Sequence, residues 1–203
     1  PSFGGKKFNN YTEDIFVGYR YFETFAKEAV LYPFGYGLSY TSFDTKFVEF
    51  THIDDTFTVT ATVSNTGNFA GREVVMLWCE APQGQLGKPS KVLAAFCKTK
   101  LLEPGESELL QLTFDKRSVA SFDDTGKTGY PHAFVLEKGD YTFLLGHKEA
   151  FRLTMPDTQS AWQCESACDS PEEFRMLCRA FYYGKERNMR GVGMRQMSEK
   201  GRS

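Results

Sequence analysis

The sequence predicts a mainly β protein whose central part, residues 43–155, is a sandwich of about seven short antiparallel strands. Two observations lead to this prediction. Several runs alternate apolar and polar residues as half-buried strands do, and turn signals rich in Gly, Pro and Asn separate those runs. The composition, 41% apolar and 25% charged, is ordinary for a globular protein. Because the formal net charge is only −2, we expect neither a nucleic acid nor a membrane surface as partner.

The clearest predicted strand is FTVTATVSN at residues 57–65. Its alternation places Phe57, Val59, Ala61 and Val63 on one face and polar side chains on the other. Comparable patterns predict six more strands, at residues 43–50, 72–80, 92–100, 108–114, 140–146 and 150–154. A series of this kind is typical of an immunoglobulin-like or fibronectin type III-like sandwich.

One predicted strand, within REVVMLWCE, is apolar on both faces. Only one of those faces can point into the sandwich, so the other needs a cover. The cover is either another domain or the loops of this same chain. The outward side chains are therefore candidates for domain docking: Val74, Met76 and Trp78.

The residues on either side of the sandwich predict different structures. YTEDIFVGYRYF, at residues 11–22, is interpreted as the last strand and exit loop of a preceding domain. Pro156 to Gln163 are interpreted as a linker. A helix is predicted to begin after Ser170, which is a capping residue, and to end near Gly184. The basic tail after it is expected to be solvated rather than to bind nucleic acid.

The order of YTEDIFVGYRYF, then YPFGYGLSYTSF, then a sandwich containing GREVVMLW, LEPGE and GDYTFLLG resembles the C-terminal end of glycoside hydrolase family 3, the β-glucosidase and β-xylosidase family. The resemblance covers residues 8–154. It implies that residues 1–42 are a remnant of an α/β sandwich domain and its junction, that residues 43–155 are a fibronectin type III-like domain, and that residues 156–203 are a linker, a helix and a tail. In members with a permuted domain order, residues 164–203 would lead toward the catalytic barrel. The alternative interpretation of these residues is an unrelated extension, or translation past the natural end of a fragmentary gene.

The resemblance also implies a function. In this family a barrel and an α/β domain form the active site, so the implied partners of the sandwich are those two domains of the same parent chain. The implied substrate of the parent is a β-linked glucoside or xyloside. The chain would then be part of a longer, retaining β-glucosidase, with the sandwich docking on and stabilising the catalytic domains.

YPFGYGLSYTSF would be the junction between the α/β domain and the sandwich. Phe34, Tyr36 and Tyr40 offer large, rigid rings for docking, and Gly35 and Gly37 allow tight turns between them. The alternative interpretation is a sugar-binding platform, because aromatic faces stack on pyranose rings.

No catalytic residue is predicted within the chain. A retaining glycosidase needs two carboxyl groups about 5–5.5 Å apart, and the adjacent acidic residues here are explained by turns, a loop and a helix N-terminus. The three histidines are far apart and the cysteines lack zinc-finger spacing, so we expect no metal and no cofactor. The acidic pairs are Glu13 with Asp14, Asp54 with Asp55, Asp123 with Asp124, and Glu172 with Glu173.

Two other functions remain open. A carbohydrate-binding sandwich would need Trp78, Phe69 and Phe134 exposed in a planar row. A general protein-interaction module is compatible with the fold, because sandwiches host many functions. Cys79 and Cys97 fall within apolar strands, where a free thiol behaves as a small hydrophobe, and this favours a reducing compartment.

Overall fold

The computed structural model describes residues 14–164, which form a mainly β protein. A short helix, α1 (Tyr19–Phe25), precedes the strands, and single 3-10 turns lie at Lys27–Ala29 and Lys116–Val119. The strands are β1 (Phe43–Ile53), β2 (Thr56–Asn65), β3 (Val74–Glu80), β4 (Val92–Lys98), β5 (Ser107–Asp115), β6 (Ser121–Asp123), β7 (Ala133–Leu136), β8 (Gly139–Leu145), β9 (Lys148–Met155) and β10 (Gln159–Gln163).

These strands form three antiparallel sheets. One has the order β1-β2-β5, a second has the order β4-β3-β8-β9, and a third has the order β10-β7-β6. The inner faces of the first two sheets share one hydrophobic core, which makes the sandwich that the sequence predicts. The predicted fold class is therefore confirmed.

The alternation in β2 sets the core-facing side of its sheet. Val59, Ala61 and Val63 are fully buried, and β2 pairs with β5 so that Val59 lies opposite Leu112 and Ala61 opposite Leu110. Burying each of the valine and leucine side chains among these stabilises the fold by roughly 1.5–3 kcal/mol. The inward face predicted from the sequence is the face the structure buries.

The sheet β10-β7-β6 was not predicted from the sequence. β6 and β7 have three and four residues, too few to show a period. The prediction of a linker over residues 156–163 is wrong for residues 159–163, which form β10. This strand pairs with β7, and its Trp162 stacks on Phe134 at 5.8 Å between ring centroids. The partner that makes these residues a strand lies far away in the sequence.

The N-terminal segment also differs from its prediction. Residues 19–25, expected as part of a strand and exit loop, form α1 instead. Helical hydrogen bonds are local, whereas a strand would need a neighbouring strand to pair with. The helix predicted after Ser170 and the basic tail lie outside the described residues. No helix within residues 14–164 is long and apolar enough to cross a membrane.

Candidate docking surface

Three of the acidic residues considered for catalysis, Asp54, Asp55 and Asp123, have structural roles. Asp54 adopts a positive φ of 50° in the β1–β2 turn, and Asp55 pairs with Lys116 there at 2.5 Å. Within residues 14–164, no three His, Cys, Asp or Glu side chains are grouped so as to hold a metal ion. Glu172 and Glu173 lie outside the described residues.

Asp123 is fully buried and holds a loop together. Its carboxylate accepts hydrogen bonds from the backbone N–H groups of Gly126 at 2.7 Å, Lys127 at 3.0 Å and Thr128 at 2.7 Å, and from the Thr128 hydroxyl at 2.7 Å. Burial raises the pKa of the Asp123 carboxyl, but the hydrogen bonds from Thr128, Lys127 and Gly126 outweigh it and hold the pKa below its usual value. The Asp123 carboxylate therefore stabilises the loop at residues 124–128.

The outward face of β3 is covered at Trp78 by the N-terminal segment of the same chain. Tyr19 lies edge-on to the Trp78 ring at 5.2 Å between centroids, and Phe34 lies edge-on at 5.9 Å. The Lys91 ammonium lies 4.6 Å from the Trp78 ring centroid, a favourable cation–π geometry. Trp78 is therefore only 4% exposed.

Beyond Trp78, this face is only partly covered. Gly35 packs closely on Met76, because a Cβ on Gly35 would lie 2.9 Å from the Met76 Sδ atom, and Gly35 has a φ of +87° that favours glycine. Val74 remains 38% exposed, and Phe96, which lies opposite Met76 on β4, is 68% exposed. An apolar strip thus remains open beside the covered tryptophan.

The aromatic segment, which we define as residues 31–40, exposes nearly all its large side chains. The Tyr32 and Tyr36 rings lie 4.8 Å apart, and both face solvent. Exposed apolar surface of this kind marks an interaction site. The candidate docking surface consists of this segment with the open strip on β3 and β4: Leu31, Tyr32, Phe34, Tyr36, Leu38, Tyr40, Val74 and Phe96.

A cavity of about 510 Å³ lies between residues 14–20, the β3–β4 loop and residues 118–127. Its wall combines apolar side chains with charged ones. Lys88 contributes to that wall, but its ammonium pairs with Glu137 at 2.5 Å.

The planar row needed for a carbohydrate-binding sandwich is not present. Trp78 and Phe134 are buried, with 4% and 6% of their surface exposed, and only Phe69 among the three is open to solvent. Stacking on a sugar ring needs an exposed aromatic face. The structure therefore contradicts that alternative.

The sequence named six docking candidates but did not predict what covers Trp78. The structure brings Phe34, Met76 and Trp78 together and leaves Tyr36, Tyr40 and Val74 exposed. Tyr19 and Lys91, which surround Trp78, were not singled out. A lone tyrosine and a lone lysine carry no periodic signal, so only the folded chain reveals them.

Comparisons with known proteins agree with the fold and extend it. Residues 73–149 match the fibronectin type III-like domain family. The chain is 46% identical over 184 residues to a β-glucosidase of Ruminococcus albus, and the match covers 86% of this chain and 19% of the relative. It is 49% identical over 154 residues to β-glucosidase A of Butyrivibrio fibrisolvens, and that match covers 68% of this chain and 18% of the relative. A solved β-glucosidase from Paenibacillus barengoltzii superposes with a TM-score of 0.73 at 47% identity, over 81% of this chain and 19% of that one. The chain thus spans about a fifth of the length of the relatives it matches.

Proposed function

Because the chain belongs to glycoside hydrolase family 3, as its C-terminal portion with the fibronectin type III-like domain, we propose that its parent protein is a retaining β-glucosidase. In this proposal the sandwich docks on the catalytic barrel and α/β domains of the parent and stabilises them. In this proposal both catalytic carboxylates belong to the other domains of the parent, so the chain alone hydrolyses nothing.

The observation that supports docking is the exposure of the aromatic segment beside a complete core. The sandwich buries its own inward faces between β2, β5, β3 and β8, and the exposed rings of Tyr32, Tyr36 and Tyr40 take no part in that core. Large rings with few rotamers lose little entropy when a partner covers them. Their location before β1 is where the chain would enter from a preceding α/β domain.

The domain limits follow from the same argument. Residues 1–42 are the end of the α/β domain and its junction, residues 43–155 are the sandwich, and residues 156–203 follow it, with β10 paired to β7. In this proposal the catalytic domains contact Tyr36, Tyr40, Val74 and the exposed part of the Phe34 ring. Trp78 and Met76 support the segment from below.

A β-linked glucoside is the proposed substrate of the parent, because the relatives are described as β-glucosidases. A retaining mechanism requires a nucleophilic carboxylate and an acid/base carboxylate about 5–5.5 Å apart. The barrel and the α/β domain supply those two groups in this proposal. A β-xyloside is the alternative substrate within the family.

The first test compares hydrolysis of an aryl β-glucoside by this chain and by its full-length parent. We expect activity only in the parent. Hydrolysis by the chain alone would refute the proposal that it lacks the catalytic carboxylates, and an inactive parent on both β-glucosides and β-xylosides would refute the proposed reaction.

The second test addresses docking. In the full-length parent, Tyr36→Ser removes an exposed ring of the docking surface, while Ile53→Ser removes a still more exposed apolar side chain from the β1–β2 hairpin. We expect Tyr36→Ser to lower the melting temperature of the parent and Ile53→Ser to leave it unchanged, with neither affecting the isolated chain. Equal behaviour of the two variants would exclude the aromatic segment as the docking surface.

A further inference from the structure

Helix α1 has little stability of its own. It has seven residues, no buried residue and no side-chain cap at its N-terminus within the described chain. Helices shorter than about 12 residues are marginal in water, because nucleation is costly and few bonds follow it. Tyr19 of α1 lies 5.2 Å from Phe34 between ring centroids, which joins the helix to the aromatic segment. In the isolated chain, attachments to the sandwich must therefore fix both.

Ser90 in the β3–β4 loop supplies one attachment. Its backbone N–H donates to the Thr24 hydroxyl at 3.0 Å, and its own hydroxyl donates to the Glu23 carbonyl at 2.8 Å. The Thr24 hydroxyl in turn donates to the Arg20 carbonyl within α1 at 2.6 Å. Ser90 therefore holds the C-terminal turn of α1 through its backbone and its side chain.

The residues after Ser90 supply a second attachment. The Leu93 backbone N–H donates to the Tyr19 hydroxyl at 3.1 Å, at the first turn of α1. The Lys91 ammonium lies over Trp78 and 4.0 Å from the Glu23 carboxylate. Both ends of the helix are thus connected to one short stretch of chain.

The β3–β4 loop, residues 81–91, is itself anchored in the core. Lys88 and Glu137 form an ion pair whose side chains are 3% and 5% exposed. The Glu137 carboxylate also accepts from the Gln85 backbone N–H at 2.5 Å. Gly84 approaches so closely that a Cβ there would lie 2.7 Å from the Glu137 Cδ atom. The loop therefore has a defined position before it meets α1.

We propose that the β3–β4 loop is a positioning element that holds α1 and the aromatic segment in the orientation their partner binds. The inference rests on the proposed docking to the α/β side of the parent chain. The positioning residues are Ser90 in the loop and its attachment points Thr24 and Tyr19 in α1. The Lys88–Glu137 pair anchors the loop. A segment that is ordered before docking loses less conformational entropy on binding, so the loop raises the affinity of the docking surface by holding it in place.

The test measures amide hydrogen exchange in the isolated chain. A double variant, Ser90→Ala with Thr24→Val, removes the attachment at the end of α1. The matched control, Ser64→Ala with Ser107→Ala, removes an exposed hydroxyl pair 2.7 Å apart on the other sheet. Tyr19→Phe, which removes only the acceptor hydroxyl, is a milder second variant.

We expect exchange over residues 19–40 to rise roughly five- to hundredfold in the double variant, because it loses both hydrogen bonds between Ser90 and α1 and the bond from the Thr24 hydroxyl to the Arg20 carbonyl. The rise should be smaller in Tyr19→Phe. Exchange in β2, β3 and β8 should not change, and the control pair should leave residues 19–40 as they were. Unchanged exchange over residues 19–40 in both the double variant and Tyr19→Phe would overturn the inference.

The same variants in the full-length parent separate this inference from the proposed function. Unchanged exchange together with a parent destabilised by Tyr36→Ser would overturn the positioning role and leave docking intact. Raised exchange together with a parent insensitive to Tyr36→Ser would support the positioning role and refute docking by the aromatic segment. If both hold, the double variant should lower the melting temperature of the parent more than that of the isolated chain.

Discussion

Replacing Lys88 by Met tests how strongly the buried ion pair anchors the β3–β4 loop. Lys88 and Glu137 are nearly inaccessible to solvent. Removing one member of a buried pair leaves the other charge without compensation, which costs about 3–5 kcal/mol. The Glu137 carboxylate keeps the hydrogen bond from the Gln85 backbone N–H, so we expect the low end, about 3 kcal/mol.

For a domain of this size, 1 kcal/mol shifts the melting temperature by about 2–4 °C, so Lys88→Met should lower it by about 6–12 °C. Urea unfolding at pH 7 should show a lower midpoint with an unchanged slope, because the exposed area does not change. Adding Glu137→Gln should recover part of the loss, since the neutral amide still accepts from Gln85.

The control is Lys100→Met, the same substitution in an exposed pair whose ammonium lies 2.7 Å from Glu106. We expect no measurable shift there, because water screens exposed charges. If Lys88→Met and Lys100→Met shift the melting temperature equally, the buried pair is not the anchor of the loop, and the reasoning fails.

Two further predictions concern buried groups. Asp123→Asn should destabilise the chain by about 2 kcal/mol, because the amide cannot accept all of the hydrogen bonds that shape residues 124–128. Because folding lowers the Asp123 pKa, its contribution is complete above about pH 4 and is lost as the pH falls through the folded pKa, so melting curves of the two proteins should converge in acid and stay apart at pH 7. Burial, reinforced by the negative charge of Glu80, raises the pKa of the Cys79 thiol above its usual range. Alkylation at pH 8 should therefore spare Cys79 in the native chain and modify it in urea. Rapid alkylation of Cys79 in the native chain would mean that β3 opens locally.

The strands could be predicted where one residue after another carries the signal. The alternation of Val59, Ala61 and Val63 reports directly which face of β2 is buried. The apolar outward face of β3 correctly indicated that Trp78 needs a cover. Neither pattern contains the identity of that cover, because Tyr19 and Phe34 reach Trp78 only after the chain has folded back.

The elements that were missed depend on distant partners. β6 and β7 are too short for a period, and β10 exists because β7 is there to pair with it. Where a strand and exit loop were expected, the chain forms α1 from Tyr19 onward, and the few local bonds of this helix are supplemented by attachments to the β3–β4 loop. A local pattern cannot register such attachments.

By itself the sequence determined the sandwich, its inward faces and the aromatic segment, because alternation, turn residues and ring content are properties of neighbouring positions. Only the tertiary structure decided how that segment is held and which of its rings stay exposed. Ser90 meets Thr24 across 66 positions and Leu93 meets Tyr19 across 74. Contacts at that separation arise when α1 packs against β4 and the loop before it, and no local sequence rule encodes them.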